Sequence, residues 1–248
     1  MYIEIGMALK KITYRAHDVD STGYIAYPKE INKKTPAILI AHAWRGPNTF
    51  VQQKAEELAN MGYIAFAADV YGSKHAESDE EAFALMAPLF SDRALLRERI
   101  KASYSYLADL ADVDSERIGA IGYCFGGLTL LELLRSGSPV KGIVSFHGVL
   151  GNKMGPITAR HIPNQIAQGR SALFLHGDLD PLVSQDDISD LRKELTESDV
   201  DWQFHIFSNT VHGFTNPEAH DVKSGLSYHK KSDQRSWKMM QDFFTELF

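Results

Sequence analysis

Short runs in which nearly every position is apolar alternate along the chain with longer stretches whose apolar residues return every three or four positions. The runs are the pattern of strands buried on both faces, and the stretches between them are the pattern of amphipathic helices, so a mostly parallel sheet covered on both sides is expected. Strands are predicted at 37–41, 63–68, 117–121, 141–146, 171–175 and 202–207. Residues 11–14 and 23–27, joined by the polar run 18–21, predict an antiparallel hairpin ahead of them. Val51, Ala55, Leu58 and Ala59 mark a first helix, with Asn48 or Thr49 as cap and Gly62 as stop. A polar stretch, 72–81, precedes a second helix carrying Leu96, Ile100, Tyr104 and Leu107. Ser184 and Asp187 form a capping-box pattern ahead of Ile188, Leu191 and Leu195. A closing helix over 232–248 aligns Trp237, Met240, Phe244 and Leu247. The Gly/Pro/Asn-rich segment 148–170 reads as a long loop or lid. No repeat or linker divides the chain, so 1–248 is read as one domain.

Composition narrows the function classes. A chain of 248 residues buries about 70–75% of its unfolded surface and needs no staples. One cysteine excludes an internal disulfide, and without a CxxC or HExxH pair no zinc site is expected. The start, Met1-Tyr2-Ile3-Glu4-Ile5, carries an acid where a secretory signal carries basic residues, and no stretch reaches about 18 apolar residues. A cytoplasmic setting is expected. A net charge of −6 argues against nucleic acid or an anionic membrane as the main partner. The oligomeric state is not fixed by any of these features.

The lone cysteine stands in Gly122-Tyr123-Cys124-Phe125-Gly126-Gly127, between a strand pattern and a helix pattern. A side chain on a sharp strand-to-helix turn is a nucleophile elbow, in which the residues two before and two after must be very small. Cysteine here takes the place of the usual serine. A free thiol of pKa about 8.5 needs a base. The loop after the last strand carries Val211-His212-Gly213-Phe214, and the loop after the strand at 171–175 carries Asp178 and Asp180. Asp178 is close to the tight turn, suited to backbone amides, whereas Asp180, fixed by Pro181, is better placed to reach His212. The order Cys124, Asp180, His212 is that of an α/β-hydrolase triad. An oxyanion hole needs two backbone amides, placed at Phe125, at the start of the helix, and at Trp44, in the loop after the strand at 37–41. His42, His147, His176 and His205 flank strands and read as packing or hydrogen-bonding residues.

On these residues, with Asp69-Val70-Tyr71-Gly72 after the strand ending at Ala68, the chain resembles the dienelactone hydrolase family. The resemblance implies an α/β-hydrolase fold, a carboxylic ester or lactone as small-molecule substrate, a Cys124-His212-Asp180 triad acting through a thioester, and no cofactor. In the family's namesake enzymes a Glu in the loop after the third strand takes part in activating the cysteine; here Ala43 holds that position. The family also sets an arginine on the second helix against a substrate carboxylate. Arg93 is the candidate here, although a solvated helix face is the plainer reading of Arg93, Arg97 and Arg99. Two other classes remain as alternatives, a hydrolase-fold ligand-binding protein without chemistry and a thiol-based redox sensor.

Overall fold

A computed structural model describes residues 9–31, 34–160 and 162–248. The N-terminal pentapeptide read above lies outside them. Strands β1 (Lys10–Ala16) and β2 (Val19–Ala26) form the expected hairpin. It is longer than the sequence reading: His17, at φ 56°, and Asp18 make the turn, and Val19, Asp20 and Ser21 are already in β2. The chain continues through β3 (Thr35–Ala41), α1 (Thr49–Asn60), β4 (Ile64–Ala68), α2 (Asp79–Ser91), α3 (Arg93–Ala108), β5 (Val113–Tyr123), α4 (Phe125–Arg135) and β6 (Gly142–Phe146). A small hairpin, β7 (Lys153–Met154) and β8 (Ile157–Thr158), follows. Then come β9 (Ser171–Gly177), α5 (Gln185–Glu197), β10 (Asp201–Phe207), a second small hairpin of β11 (His220–Asp221) and β12 (Leu226–Ser227), and α6 (Lys230–Leu247).

Eight strands form the main sheet in the order β1-β2-β4-β3-β5-β6-β9-β10, antiparallel at β1-β2 and β2-β4 and parallel from β4 onward. Its central strands feed two apolar layers by the two-residue alternation of a strand. Leu39 and Ala41 face a layer shared with α3, α4 and α5, while Ile38 and Ile40 face one shared with α1 and α6. The carboxyl ends of the parallel strands lie along one edge, the edge where ligands bind in sheets of this type.

One helix escaped the sequence reading. The segment taken as a polar prelude to a single helix contains the start of α2, whose N-cap Ser78 accepts a hydrogen bond from the Glu81 N–H at 3.2 Å. Asp79, Glu80 and Glu81 fill its first turn, where acids favour the helix dipole. Asp92 then caps α3 by accepting from the Leu95 N–H at 3.0 Å, so the break between the two helices is one residue long. The capping box of α5 forms with Ser184 and Asp187 as expected. Asn48 precedes α1 but its side chain makes no cap. Among the described residues no helix is long and apolar enough to cross a membrane.

Candidate active site

Cys124 sits between β5 and α4 at φ 55°, ψ −117°, a conformation strained for any residue with a Cβ. The surroundings hold it there. Its N–H donates to the Phe146 carbonyl at 3.1 Å, and its carbonyl accepts from Gly127 at 3.0 Å and Val149 at 3.1 Å. A Cβ on Gly122 would run into the Gly126 carbonyl, and one on Gly126 into the backbone of Ala41 and His42. The turn therefore closes only around glycine at these two positions, and it leaves the thiol half-buried rather than sealed in the core.

His212 follows β10 and is 1% exposed. Its Nδ1 donates to Asp180 Oδ2 at 2.8 Å, and the other carboxylate oxygen accepts from the Leu182 N–H at 2.9 Å. Asp180 is thus the carboxylate that bonds His212, while Asp178 is exposed. The Asp180 carboxylate serves an amide and an imidazole together. Nε2 of His212 has no hydrogen-bond partner among the described residues, and Cys124 is close enough to raise the titration of the ring. Burial alone would push the imidazole down, but the Cys124 charge, the Asp180 hydrogen bond, the contact with Cys124 and the Asp180 charge together push it up to about 10. The site thereby favours the imidazolium form of His212.

Two further histidines enclose the ring. His147 lies 5.0 Å from His212 between ring centroids, and its Nε2 is 2.8 Å from Thr215 Oγ1. Burial, with the His212 charge beside it, pushes His147 well below its ordinary value. His176 Nδ1 is 3.9 Å from Asp180 Oδ2, and burial pushes it down as well. Both are held neutral, so neither repels a charged His212. His42, the third buried histidine, bonds through Nδ1 to the Ala43 carbonyl at 2.7 Å and through Nε2 to the Val70 N–H at 3.3 Å. A neutral ring satisfies both.

Phe125 opens α4 directly after Cys124, and Trp44 lies in the loop after β3. A helix's first N–H groups have no intrahelical acceptor, and among the described residues neither the Phe125 nor the Trp44 N–H has one. Tyr71 joins the two: its hydroxyl donates to the Trp44 carbonyl at 2.9 Å and its ring stacks on Phe125 at 6.1 Å. Burial, then the charges of Cys124 and Asp69, push the Tyr71 phenol well above its ordinary value, so it remains a donor. Sequence reasoning missed Tyr71 as part of the site. The signal was Asp69, whose carboxylate accepts from the N–H groups of Tyr71 at 2.7 Å, Ser73 at 2.6 Å and Thr22 at 3.2 Å and so shapes the turn after β4.

The arginines of α3 do not form a solvated face. Arg97 donates to the buried Glu132 through Nε at 3.2 Å and Nη2 at 2.9 Å, and Arg99 grips Asp18 at 2.8 and 3.0 Å. Arg93 is 2% exposed, and its partners are the Gly151 carbonyl, the Phe90 ring and the charges of Glu132 and Arg135, none of them part of the triad. Packing of α3 on α4 buries Arg97, Phe90 and the Gly151 carbonyl enclose Arg93, and Asp18 and Val70 hold Arg99, tertiary effects no local pattern announces. Among the described residues no group of three or more His, Cys, Asp or Glu side chains could hold a metal ion.

The sequence model of the dienelactone hydrolase family matches residues 21–248. The chain belongs to that family. It is accordingly a hydrolase of the class that acts on carboxylic ester bonds, with the α/β-hydrolase fold. A solved structure named m3DLH shares 33% identity, covers 98% of this chain and 99% of its own, and superimposes with a TM-score of 0.86. A dienelactone hydrolase-like promiscuous phosphotriesterase from metagenomic libraries shares 32% over 98% of this chain and 99% of its own, with a TM-score of 0.87. A protein of Aquifex aeolicus (strain VF5), provisionally named a carboxymethylenebutenolidase, is 28% identical over 94% of this chain and 96% of its own length.

Proposed function

We propose that the protein cleaves a small carboxylic ester or lactone with Cys124 as nucleophile, His212 as general base and acid, and Asp180 as the group that orients His212. The observation that carries this reading is His212 held by Asp180 through Nδ1 at 2.8 Å, its Nε2 free of any hydrogen-bond partner among the described residues and Cys124 close enough to raise its titration. The thiolate attacks the acyl carbon, and the electron pair of the carbonyl moves to oxygen, where the N–H groups of Trp44 and Phe125 receive the negative charge. The tetrahedral intermediate collapses: the bond to the alkoxide breaks, His212 Nε2 gives it a proton, and a thioester remains on Cys124. Water, losing its proton to Nε2, attacks the thioester, and the acid departs as the thiolate is restored. For a lactone, alcohol and acid are the two ends of one product.

Ala43 supplies no carboxylate, so in this reading activation of Cys124 rests on His212. Residues 1–248 act in this reading as one hydrolase domain without a cofactor, in a reducing cytoplasm where the thiol stays free. A ligand-binding or thiol-sensing role has no use for a buried Asp180 clamp on His212, which favours turnover. The test is a panel of short activated esters, lactones and, because one relative is named a phosphotriesterase, phosphotriesters, assayed with wild type, Cys124→Ala, Cys124→Ser and His212→Ala. Saturable wild-type turnover that falls by about 10³-fold or more in Cys124→Ala supports the mechanism. Undiminished turnover in Cys124→Ala overturns it.

A further inference from the structure

Arg93, at the start of α3, is buried, yet only one of its three guanidinium nitrogens has an acceptor: Nη2 donates to the Gly151 carbonyl at 3.2 Å. Nε and Nη1 are buried with no hydrogen-bond partner among the described residues. Buried guanidinium groups normally find acceptors for their N–H donors, so two open nitrogens point to an acceptor that enters from outside the protein. The neighbouring carboxylates are already committed. Glu132 accepts from Arg97 and from Arg135 Nη1 at 3.0 Å, and Glu194 accepts from Arg135 Nε at 2.9 Å and Nη2 at 2.6 Å.

These groups border a cavity of about 230 Å³, also lined by Asn152, Arg160 and Asn164, whose exposed side chains open it to solvent. At about 30 Å³ per water, it holds a small oxyanion with several waters. Three guanidinium groups (Arg93, Arg135 and Arg160) line it against two carboxylates (Glu132 and Glu194), an excess of one positive charge. The cavity is separate from the triad: Glu132 and Arg135 lie eight and eleven residues along α4 from Cys124, about 12 and 16 Å at 1.5 Å per residue. Burial, with Arg135 adding to it against Glu132, pushes the Arg93 guanidinium down to about 10, still charged near neutrality.

We infer that this cavity is a binding site for a small oxyanion, a phosphate or a carboxylate, whose oxygens accept from the open N–H groups of Arg93 while Arg160 at the mouth adds charge. Hydrogen bonds from a guanidinium to an anionic oxygen are shorter and about twice as strong as neutral ones. The site is independent of acyl transfer at Cys124 and stands whatever the ester specificity proves to be.

Thermal unfolding and calorimetric titration with inorganic phosphate, and separately with malonate, test it at ionic strength held constant with sodium chloride. Wild type is expected to show a saturable rise in Tm with one or both anions, and the stronger response identifies phosphate or carboxylate as the preferred ligand. The rise should persist after Cys124 is alkylated with iodoacetamide and should weaken at least about tenfold in affinity in Arg93→Met. Arg93→Lys, which keeps the charge and loses the guanidinium, should weaken binding as well. If Arg93→Met does not fold, Arg160→Ala at the exposed mouth decides, with a weaker affinity expected. No rise beyond that of sodium chloride, a rise abolished by alkylation of Cys124, or equal affinity in the folded variants overturns the inference.

Discussion

The Tyr71 hydroxyl donates to the Trp44 backbone carbonyl at 2.9 Å, which anchors Trp44 on the carbonyl side of the residue whose own N–H is the proposed donor. Because the Tyr71 ring also stacks on Phe125, one side chain steadies both backbone donors assigned to the developing oxyanion. Tyr71→Phe keeps the ring and removes the tether. It is expected to lower kcat about tenfold with KM little changed, since an oxyanion contact acts in the transition state and losing a whole donor costs about 10²–10³. An unchanged kcat in steady-state kinetics would remove Tyr71 from the positioning of the site.

Asp180→Asn keeps the size of the side chain but no longer holds the His212 Nδ1 proton as a charged acceptor. Turnover is expected to fall about 10³–10⁴-fold, and alkylation of Cys124 by iodoacetamide at pH 7 to slow with it. Asp178→Asn, at an exposed position, is the control and should leave both rates near wild type. The reverse ranking would show that the wrong carboxylate has been assigned.

These two residues show what was legible in the sequence and what was not. Cys124 and His212 are placed by local rules: a turn crowded enough to demand glycine, and a loop after the last strand. Asp180 was ranked above Asp178 for the same kind of reason, its anchoring by Pro181. The sheet was legible because its central strands are buried on both faces and so apolar throughout. Helix α2 was not, because its first turn is three acids in a row, a pattern shared with solvated loops. The buried arginines of α3 were hidden for a different reason, since Glu132, the partner that makes burial of Arg97 tolerable, lies 35 residues away on α4. Tyr71 likewise acquires its position only when the turn after β4 folds around Asp69.

The protonation of His212 is directly observable. Its folded value, about 10, lies above the unfolded value of about 6.5. A raised folded value means that the imidazolium contributes stability fully below about pH 6.5, and that this contribution is lost as the pH rises through about 10. The His212 ring resonance followed by NMR is therefore expected to titrate near pH 10 in wild type and at lower pH in Cys124→Ala, where the largest upward contribution is gone. A wild-type titration near pH 6.5 would contradict the ion-pair description of the resting site.

Gly126→Ala tests the elbow by sterics alone. The added methyl meets the Ala41 and His42 backbone, which cannot move without shifting β3, so a loss of about 3 kcal/mol in urea unfolding is expected. Gly155→Ala, where a Cβ has open space but φ is +55°, should cost only about 1 kcal/mol from backbone strain. Similar losses at both positions would mean that the elbow is less crowded than its geometry indicates.

Rapid acid quench of the enzyme during turnover of an activated acetate ester, followed by peptide mass spectrometry, asks where the acyl group resides in mid-reaction. An acetyl group on the sulfur of Cys124, absent from Cys124→Ala, is the predicted result. Hydrolysis that proceeds with Cys124 never acylated, or an acyl group found on another side chain, would contradict the central claim.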